Sequence, residues 1–313
     1  MKGVKIVTVV VTFNGDHWIK WCLDSLMSSS LSTEIVVVDN NSTDSTKKII
    51  KSNYPEIRLV ESEENLGFGK ANNIGLKIAL ELNADYVFLL NQDAKIEPST
   101  LKNLVAAQRD NKIYGVLSPI HLNGRGSMLD NYFSKYLTSS HGGLEFISKK
   151  LANKEIKDTY PLNFVNAAAW LISKECLKTV GGFDPIFYHY AEDDNYIHRL
   201  HYHKLKVGIV PNAIMYHDRE NRRSSTWTNP FHREQDIFRR SLLIHSLNPN
   251  EHQNISVTQV KKHLLSRIFR SIFKFKMKDI KLELEIFKEY SSKTDTIKKH
   301  LKSSKNKGLT YLE

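Results

Sequence analysis

In the first third of the chain, apolar positions fall into short dense runs separated by stretches with a helical repeat. Residues 5–12, 35–39, 57–60 and 86–91 are rich in Val, Ile and Leu, while 16–28, 45–51 and 70–82 carry helical patterns. That alternation predicts βαβ units and a mainly parallel sheet flanked by helices, an α/β fold. Asp44 is placed to cap the helix beginning near Ser45, and Pro98-Ser99-Thr100 opens another toward Gln108. Residues 121–160 are rich in Gly, Ser and Lys with weak periodicity, and read as a long loop or irregular hairpin that shapes an acceptor site. Beyond it come an apolar run at 164–172, a helix at 174–180, the turn Gly181-Gly182-Phe183-Asp184-Pro185 and a helix at 192–203. Strands follow at 207–210 and 213–216.

From Glu234 onward the pattern is helical, with a break at Asn248-Pro249-Asn250. Leu264, Leu265, Ile268, Phe269, Ile272 and Phe273 recur at helical spacing among Lys and Arg, which makes an amphipathic basic helix. A helix packed on its own catalytic domain is the competing reading. Residues 291–307 read as a poorly ordered polar end. The expected organisation is an α/β domain over 1–225, in two halves at about 1–120 and about 160–225. A basic helical extension over 226–313 completes it.

Composition sharpens this picture in three places. The 313 residues carry a net charge of +11, yet 226–313 hold 18 Lys and Arg against 9 Asp and Glu, while 1–225 hold 27 against 25. The excess therefore belongs to the extension, where it points to an anionic lipid surface, nucleic acid or an acidic substrate, or to a solvated helical face. Cys22 and Cys176 are too few for a disulfide framework, and no zinc spacing occurs, which fits a reducing cytoplasm. No apolar run reaches the roughly 18 residues of a membrane span, so the chain is expected to touch a membrane rather than cross it.

The candidate chemistry sits just after the apolar runs. Asp39, Asp93 and the group Glu192-Asp193-Asp194 lie in polar segments of the kind that hold ligands at the carboxyl ends of an open α/β sheet. Val10-Val11-Thr12-Phe13-Asn14, Val38-Asp39-Asn40-Asn41-Ser42-Thr43-Asp44, Asn65-Leu66-Gly67-Phe68-Gly69-Lys70-Ala71-Asn72-Asn73 and Leu90-Asn91-Gln92-Asp93-Ala94 stand in that order. Together with Gly181-Gly182-Phe183-Asp184, Glu192-Asp193 and His217, this set resembles glycosyltransferase family 2 on a GT-A fold, over roughly residues 5–225. Its wording looks most like the bacterial rhamnosyltransferase branch.

The residues support donor chemistry on their own terms. Asp39 can accept a hydrogen bond from the imide N3–H of uracil or thymine, with an Asx-turn as the competing reading. Gly67 permits close backbone approach to a ligand, and Lys70, where the family often has Arg, brings a positive charge near a diphosphate. Thr12, Phe13 and Asn14 correspond to the family's wall for base and ribose, and Asn65 belongs to the same donor set. Asn91-Gln92-Asp93 resembles the family's Asp-x-Asp metal motif with its first acid replaced by an amide. The resemblance leaves Asn91 and Gln92 on the donor side, and Asp93 with His217 as protein ligands of Mg²⁺ or Mn²⁺. Arg222-Arg223-Ser224-Ser225 offers a clamp for the diphosphate, or an ordinary solvated loop.

By the same resemblance Asp193 is the general base of an inverting transfer and Glu192 its companion. The donor half would lie at about 1–120 and the acceptor half at about 160–225, with Trp170, Phe183, Asp184 and Asp194, near Tyr188 and Tyr190, read as lining the acceptor. Core packing is the competing reading for at least half of the aromatic rings, and a solvated helix charge for Asp194. His189, His198, His201 and His203 read as a basic helix surface rather than a metal cluster. The implied activity moves a sugar from a UDP- or dTDP-sugar, dTDP-rhamnose among them, to a glycan or lipid-linked hydroxyl in bacterial surface polysaccharide synthesis. The implied setting is cytoplasmic, at the inner face of the membrane, with anionic lipid and not nucleic acid as the partner. A sugar-1-phosphate nucleotidyltransferase is the rival enzyme, but it would need a Gly-rich basic loop after the first strand, where Thr12-Phe13-Asn14-Gly15 stands. A basic nucleic-acid-binding protein leaves the acidic loops unexplained.

Overall fold

The computed structural model describes residues 3–222 and 230–313. The catalytic part runs β1 (Ile6–Thr12), α1 (Ile19–Met27), β2 (Glu34–Asp39), α2 (Thr46–Asn53), β3 (Arg58–Glu61), α3 (Phe68–Glu81), β4 (Tyr86–Asn91), β5 (Ala94–Ile96) and α4 (Thr100–Asp110). It continues through β6 (Tyr114–Asn123), α5 (Asn131–Thr138), α6 (His141–Leu151), β7 (Tyr160–Leu162), β8 (Ala169–Ser173), α7 (Lys174–Val180), α8 (Glu192–Tyr202) and β9 (Lys206–His217). The extension is α9 (Pro230–Ser246), α10 (Val257–Phe273), α11 (Met277–Ser292) and α12 (Thr294–Ser304). The expected boundary at 225/226 lies outside the described residues.

One sheet carries the nine strands found among the described residues, in the order β3-β2-β1-β4-β8-β6-β9-β5, with β7 also paired to β9. The βαβ units give the predicted parallel block β3-β2-β1-β4, and β6 runs parallel to β9. Around them the sheet is mixed, because β8, β5 and β7 pair antiparallel to their neighbours. The apolar runs are dense because both faces are covered. Val7, Val9, Val36, Val38, Val87 and Leu89 face a layer built from α3, α7 and α8. The alternate residues Ile6, Val10, Ile35, Val37, Phe88 and Leu90 face α1 and α4. Register places Thr12 opposite Asp39 and Val11 opposite Asn91, so three candidate residues share one carboxyl edge where strand order reverses about β1.

Two expectations fail. Part of the 121–160 segment is helical, in α5 and α6, with Phe133 and Leu137 buried one turn apart. Asp130 caps α5 by accepting from the N–H groups of Tyr132 and Phe133, both at 2.9 Å. Gly142 and Gly143 hid α6 as loop-like composition, and they are small because Pro161 and the Leu137 backbone press against them. The polar end is ordered as well. Ile297 is buried in the core of the extension with Leu242, Leu264, Ile286 and Tyr290, and Phe187 and Ala191 of the catalytic part join that cluster.

The chain then returns to the catalytic layer. Leu312 joins the first core cluster, and the Thr310 carbonyl accepts from Gly182 N at 2.8 Å. Tyr311 Oη donates to Asp184 Oδ2 at 2.9 Å, and His300 Nδ1 lies 2.6 Å from Asp184 Oδ1. Asp184 is fully buried and its carboxylate is engaged by the tail, so the acceptor role expected for it is corrected to a structural one. Hydrogen bonds to a buried charge contribute about 1.5–3 kcal/mol each. Asp184→Ala should therefore lower unfolding stability by about 3 kcal/mol and Tyr311→Phe by about 1.5 kcal/mol, read by urea denaturation. A Tyr311→Phe protein as stable as the wild type would show that the tail contact contributes nothing.

Candidate active site

The donor side is assembled from the loops after β1, β2 and β4. Asp39 is fully buried, and its Oδ2 accepts from Ser42 N at 2.9 Å, closing the turn after β2. Its Oδ1 is buried without a hydrogen-bond partner. The turn-forming and ligand-binding readings of this residue thus occupy different oxygens. A buried carboxylate oxygen left unpaired costs free energy that a donated N–H would recover. Phe13 and Asn14 are exposed beside it, and Asn14 Oδ1 accepts from Thr43 N at 2.9 Å, tying the two loops together.

Thr12 and Gln92 depart from the donor-contact expectation. Gln92 Oε1 accepts from Thr12 Oγ1 at 2.5 Å and Phe13 N at 3.0 Å, and its Nε2 donates to the Phe13 carbonyl at 3.1 Å. These groups hold the β1 and β4 loops in register. Asn65 also works internally, accepting from Asn40 Nδ2 at 2.8 Å and from Gly67 N at 3.0 Å. Gly67 precedes α3 with φ of 79°, and a Cβ there would collide with the Tyr188 carbonyl oxygen. Lys70 is exposed in the first turn of α3, while Asn91 ends β4 half-buried.

Antiparallel pairing of β5 with β9 sets Ala94 opposite His217 and so brings Asp93 to the imidazole. Asp93 Oδ1 lies 3.2 Å from His217 Nε2, and Arg222 Nε donates to Asp93 Oδ2 at 2.6 Å. Arg222 Nη2 is 3.1 Å from the same imidazole nitrogen. Burial alone would raise the Asp93 pKa, but His217 and Arg222 hold it well below the usual carboxylate range. Burial lowers that of His217 despite the pull of Asp93. One carboxylate and one imidazole, side by side, fit a hard cation that takes its remaining ligands from diphosphate and water. Among the described residues no group of three or more His, Cys, Asp or Glu side chains is placed to hold a metal. Arg222 reaches this pair, whereas Arg223-Ser224-Ser225 lie outside the described residues.

The third acidic group opens α8. Tyr190 and Ala191, at φ of 66° and 75°, are consecutive left-handed residues that aim the first helical turn. Such backbone is costly for residues with a Cβ and persists where surrounding structure holds it. Burial pushes Glu192 well above the usual range, with the Asp193 charge adding to the effect. Burial likewise raises Asp193, against hydrogen bonds from the N–H groups of Asp194 and Ala167. Asp194 is pushed up to about 7 by burial and by Asp193. Gly69 on α3 faces both Phe183 and Glu192, so the donor turn and the acid turn are neighbours. Asn73 fastens them by bracketing the Phe183 backbone, accepting from its N at 2.7 Å and donating to its O at 2.8 Å.

Trp170 and Phe183, expected on the acceptor, are instead fully buried and stacked 6.0 Å apart beneath this turn. Their aromatic bulk supports the acids without presenting a face to a ligand. Tyr188 and Tyr190 are the exposed rings. His198, His201 and His203 are half-buried, and burial lowers the pKa of each, that of His198 to about 4, while His189 stands exposed before α8.

Residues 8–181 match the family description Glycosyl transferase family 2. The chain belongs to that family. Within it, the chain is 25% identical over 178 residues to the low-salt glycan biosynthesis hexosyltransferase Agl10 of Haloferax volcanii, spanning 56% of this chain and 55% of that protein. It is 26% identical to the dTDP-rhamnosyl transferase RfbF of Shigella flexneri, over 68% of each chain. It is 23% identical to the N-acetylglucosaminyl-diphospho-decaprenol L-rhamnosyltransferase of Mycobacterium tuberculosis, over 67% of this chain and 74% of the relative. The fold is GT-A, as in S. aureus TarS, which superposes with a TM-score of 0.58 at 17% identity over 99% of this chain and 54% of TarS.

Two further residues near the candidate groups of this family 2 chain escaped the sequence reading. Asp130 receives Arg219 Nε at 2.8 Å and stands 3.9 Å from His217 Nδ1, beyond hydrogen-bond reach of that buried, unpartnered nitrogen. Tyr136 on α5 has its phenol pKa raised by burial and then by the charge of Asp193. The cap signal at Asp130 was present, but the segment's loop-like composition masked it.

Proposed function

We propose that the chain transfers a sugar, with inversion, from a UDP- or dTDP-sugar to a hydroxyl of a glycan or lipid-linked acceptor in surface polysaccharide synthesis. The observation that carries the reading is the buried, unpartnered Oδ1 of Asp39 at the carboxyl edge of the sheet. It suits the imide N3–H shared by uracil and thymine, whose methyl difference lies away from that edge. Rhamnose is the favoured sugar, on the motif wording and the names of the Shigella and Mycobacterium relatives. The second of those names also favours a lipid-linked acceptor, and with it a site at the cytoplasmic face of a membrane.

Asp193 takes the proton of the acceptor hydroxyl as that oxygen attacks the anomeric carbon. The bond from the anomeric carbon to the diphosphate oxygen breaks, and a single displacement inverts the centre. Burial raises the basicity of Asp193 and of its neighbours Glu192 and Asp194, which the Asp193 charge lifts further. Phe13 walls the base, and Lys70 and Arg222 offer positive charge to the diphosphate. Asp93 and His217 would hold Mg²⁺ or Mn²⁺, which when bound neutralises charge on the departing diphosphate.

Asp39→Ala tests the donor assignment by calorimetric titration. A charged hydrogen bond of about 1.5–3 kcal/mol predicts ~10–100-fold weaker UDP and dTDP binding, with GDP unaffected. Unchanged pyrimidine affinity would reject the assignment.

A further inference from the structure

The amphipathic basic pattern divides between two helices and a turn. On α10, Val260, Leu264 and Ile268 are buried, so part of the apolar stripe is spent on internal packing, as the competing reading required. The remainder is not covered. Phe269 and Ile272 are exposed, and at the turn into α11 Phe273, Phe275 and Met277 are 82%, 89% and 74% exposed. Apolar and cationic residues alternate through this turn as Phe273-Lys274-Phe275-Lys276-Met277-Lys278. Residues 261–281 hold eight Lys and Arg against one acid, Asp279.

The turn itself is unusual. Lys276 N donates to Ser271 O at 3.0 Å and Phe275 N to Ile272 O at 2.9 Å, the paired hydrogen bonds of a Schellman motif. Its left-handed position, ordinarily glycine, is Phe275 at φ of 51°. A left-handed residue with a Cβ is strained, and this exposed ring gains almost nothing by burial within the chain.

We infer that the α10–α11 turn is a wedge that inserts Phe273, Phe275 and Met277 into an anionic lipid bilayer while Lys274, Lys276 and Lys278 reach the headgroups. Apolar side chains interleaved with lysine match the bilayer interface, where aliphatic stems lie in the boundary and ammonium groups meet anionic phosphate. A second copy of the chain fits less well, since it would set one cationic tip against another. Nucleic acid satisfies the lysines but leaves the aliphatic Ile272 and Met277 in water. The inference extends the lipid-linked acceptor reading and is measured apart from it.

The test is co-sedimentation of the full chain with phosphatidylcholine vesicles, with and without phosphatidylglycerol, while UDP titration independently reports the donor site. Wild type should partition to the anionic vesicles, and Lys274→Glu/Lys276→Glu/Lys278→Glu should weaken partitioning at least ~100-fold. Phe275→Gly should weaken it ~10-fold or more while leaving the thermal midpoint equal or higher, because glycine relieves the left-handed strain. A purely structural role for Phe275 would lower the midpoint instead. Equal partitioning of wild type to both vesicle types, or an unchanged Phe275→Gly, overturns the inference. So does salt-dependent oligonucleotide binding or a Phe275-dependent dimer in the absence of vesicle binding. Lost donor binding with intact partitioning would count against the catalytic reading alone.

Discussion

Asp193→Asn is expected to reduce turnover about 10³-fold, the middle of the range for a positioned general base, while nucleotide affinity changes less than about threefold. The same substitution should make the protein more stable at alkaline pH. A carboxyl whose pKa is higher folded than unfolded favours the fold while it is protonated, and that advantage is lost as pH rises through the folded value. For Asp194 the window runs from its ordinary 3.8 to about 7, and Asp193 and Glu192 shift in the same direction. Removing one charge from the group relieves its neighbours, so the thermal midpoint of Asp193→Asn at pH 8 should exceed that of the wild type. Activity and stability moving oppositely would separate loss of chemistry from loss of fold. Near-normal turnover would remove Asp193 as the base. The wild-type rate should also rise with pH toward neutrality, since the base acts when deprotonated.

Asp93→Asn should have a comparable effect, with turnover down about 10³-fold, or roughly 4 kcal/mol of transition-state stabilisation. Saturable Mn²⁺ binding in the presence of UDP, followed by electron paramagnetic resonance, should disappear with it. Retained Mn²⁺ affinity would place the cation elsewhere. A third readout follows from the depressed pKa of Asp93. Its ionised form contributes stability that is present above the ordinary 3.8 and is lost as pH falls through the lower folded value. The wild type should therefore lose stability on acidification more steeply than Asp93→Asn. Arg222 sits on both candidate metal ligands, so Arg222→Gln should tighten Mn²⁺ binding in the absence of nucleotide.

The parallel half of the fold was legible because its strands are buried on both faces and its helices keep a strict repeat. The placement of Asp39 and Asp93 was legible for a related reason, since they stand at or just after the ends of such strands. What escaped depends on pairing between distant segments. Nothing near Gln92 announces that its amide will be spent on Thr12 and Phe13, some 80 residues earlier. Trp170 and Phe183 looked like ligand rings because aromatic residues serve cores and sites alike, and only burial separates the two. The helix α5 was hidden by composition, and with it went Asp130 and Tyr136. The histidines of α8 carried no local sign that they would be half-buried.

The contact between Tyr311 and Asp184 spans 127 residues, and it has a consequence for the order of events during synthesis. The strands β1, β2 and β4 that form the carboxyl edge have all been made by residue 91. The turn leading into the acids remains without its partner until residue 311 has left the ribosome. The α10–α11 turn is therefore complete before the tail can fasten the segment that carries the acids.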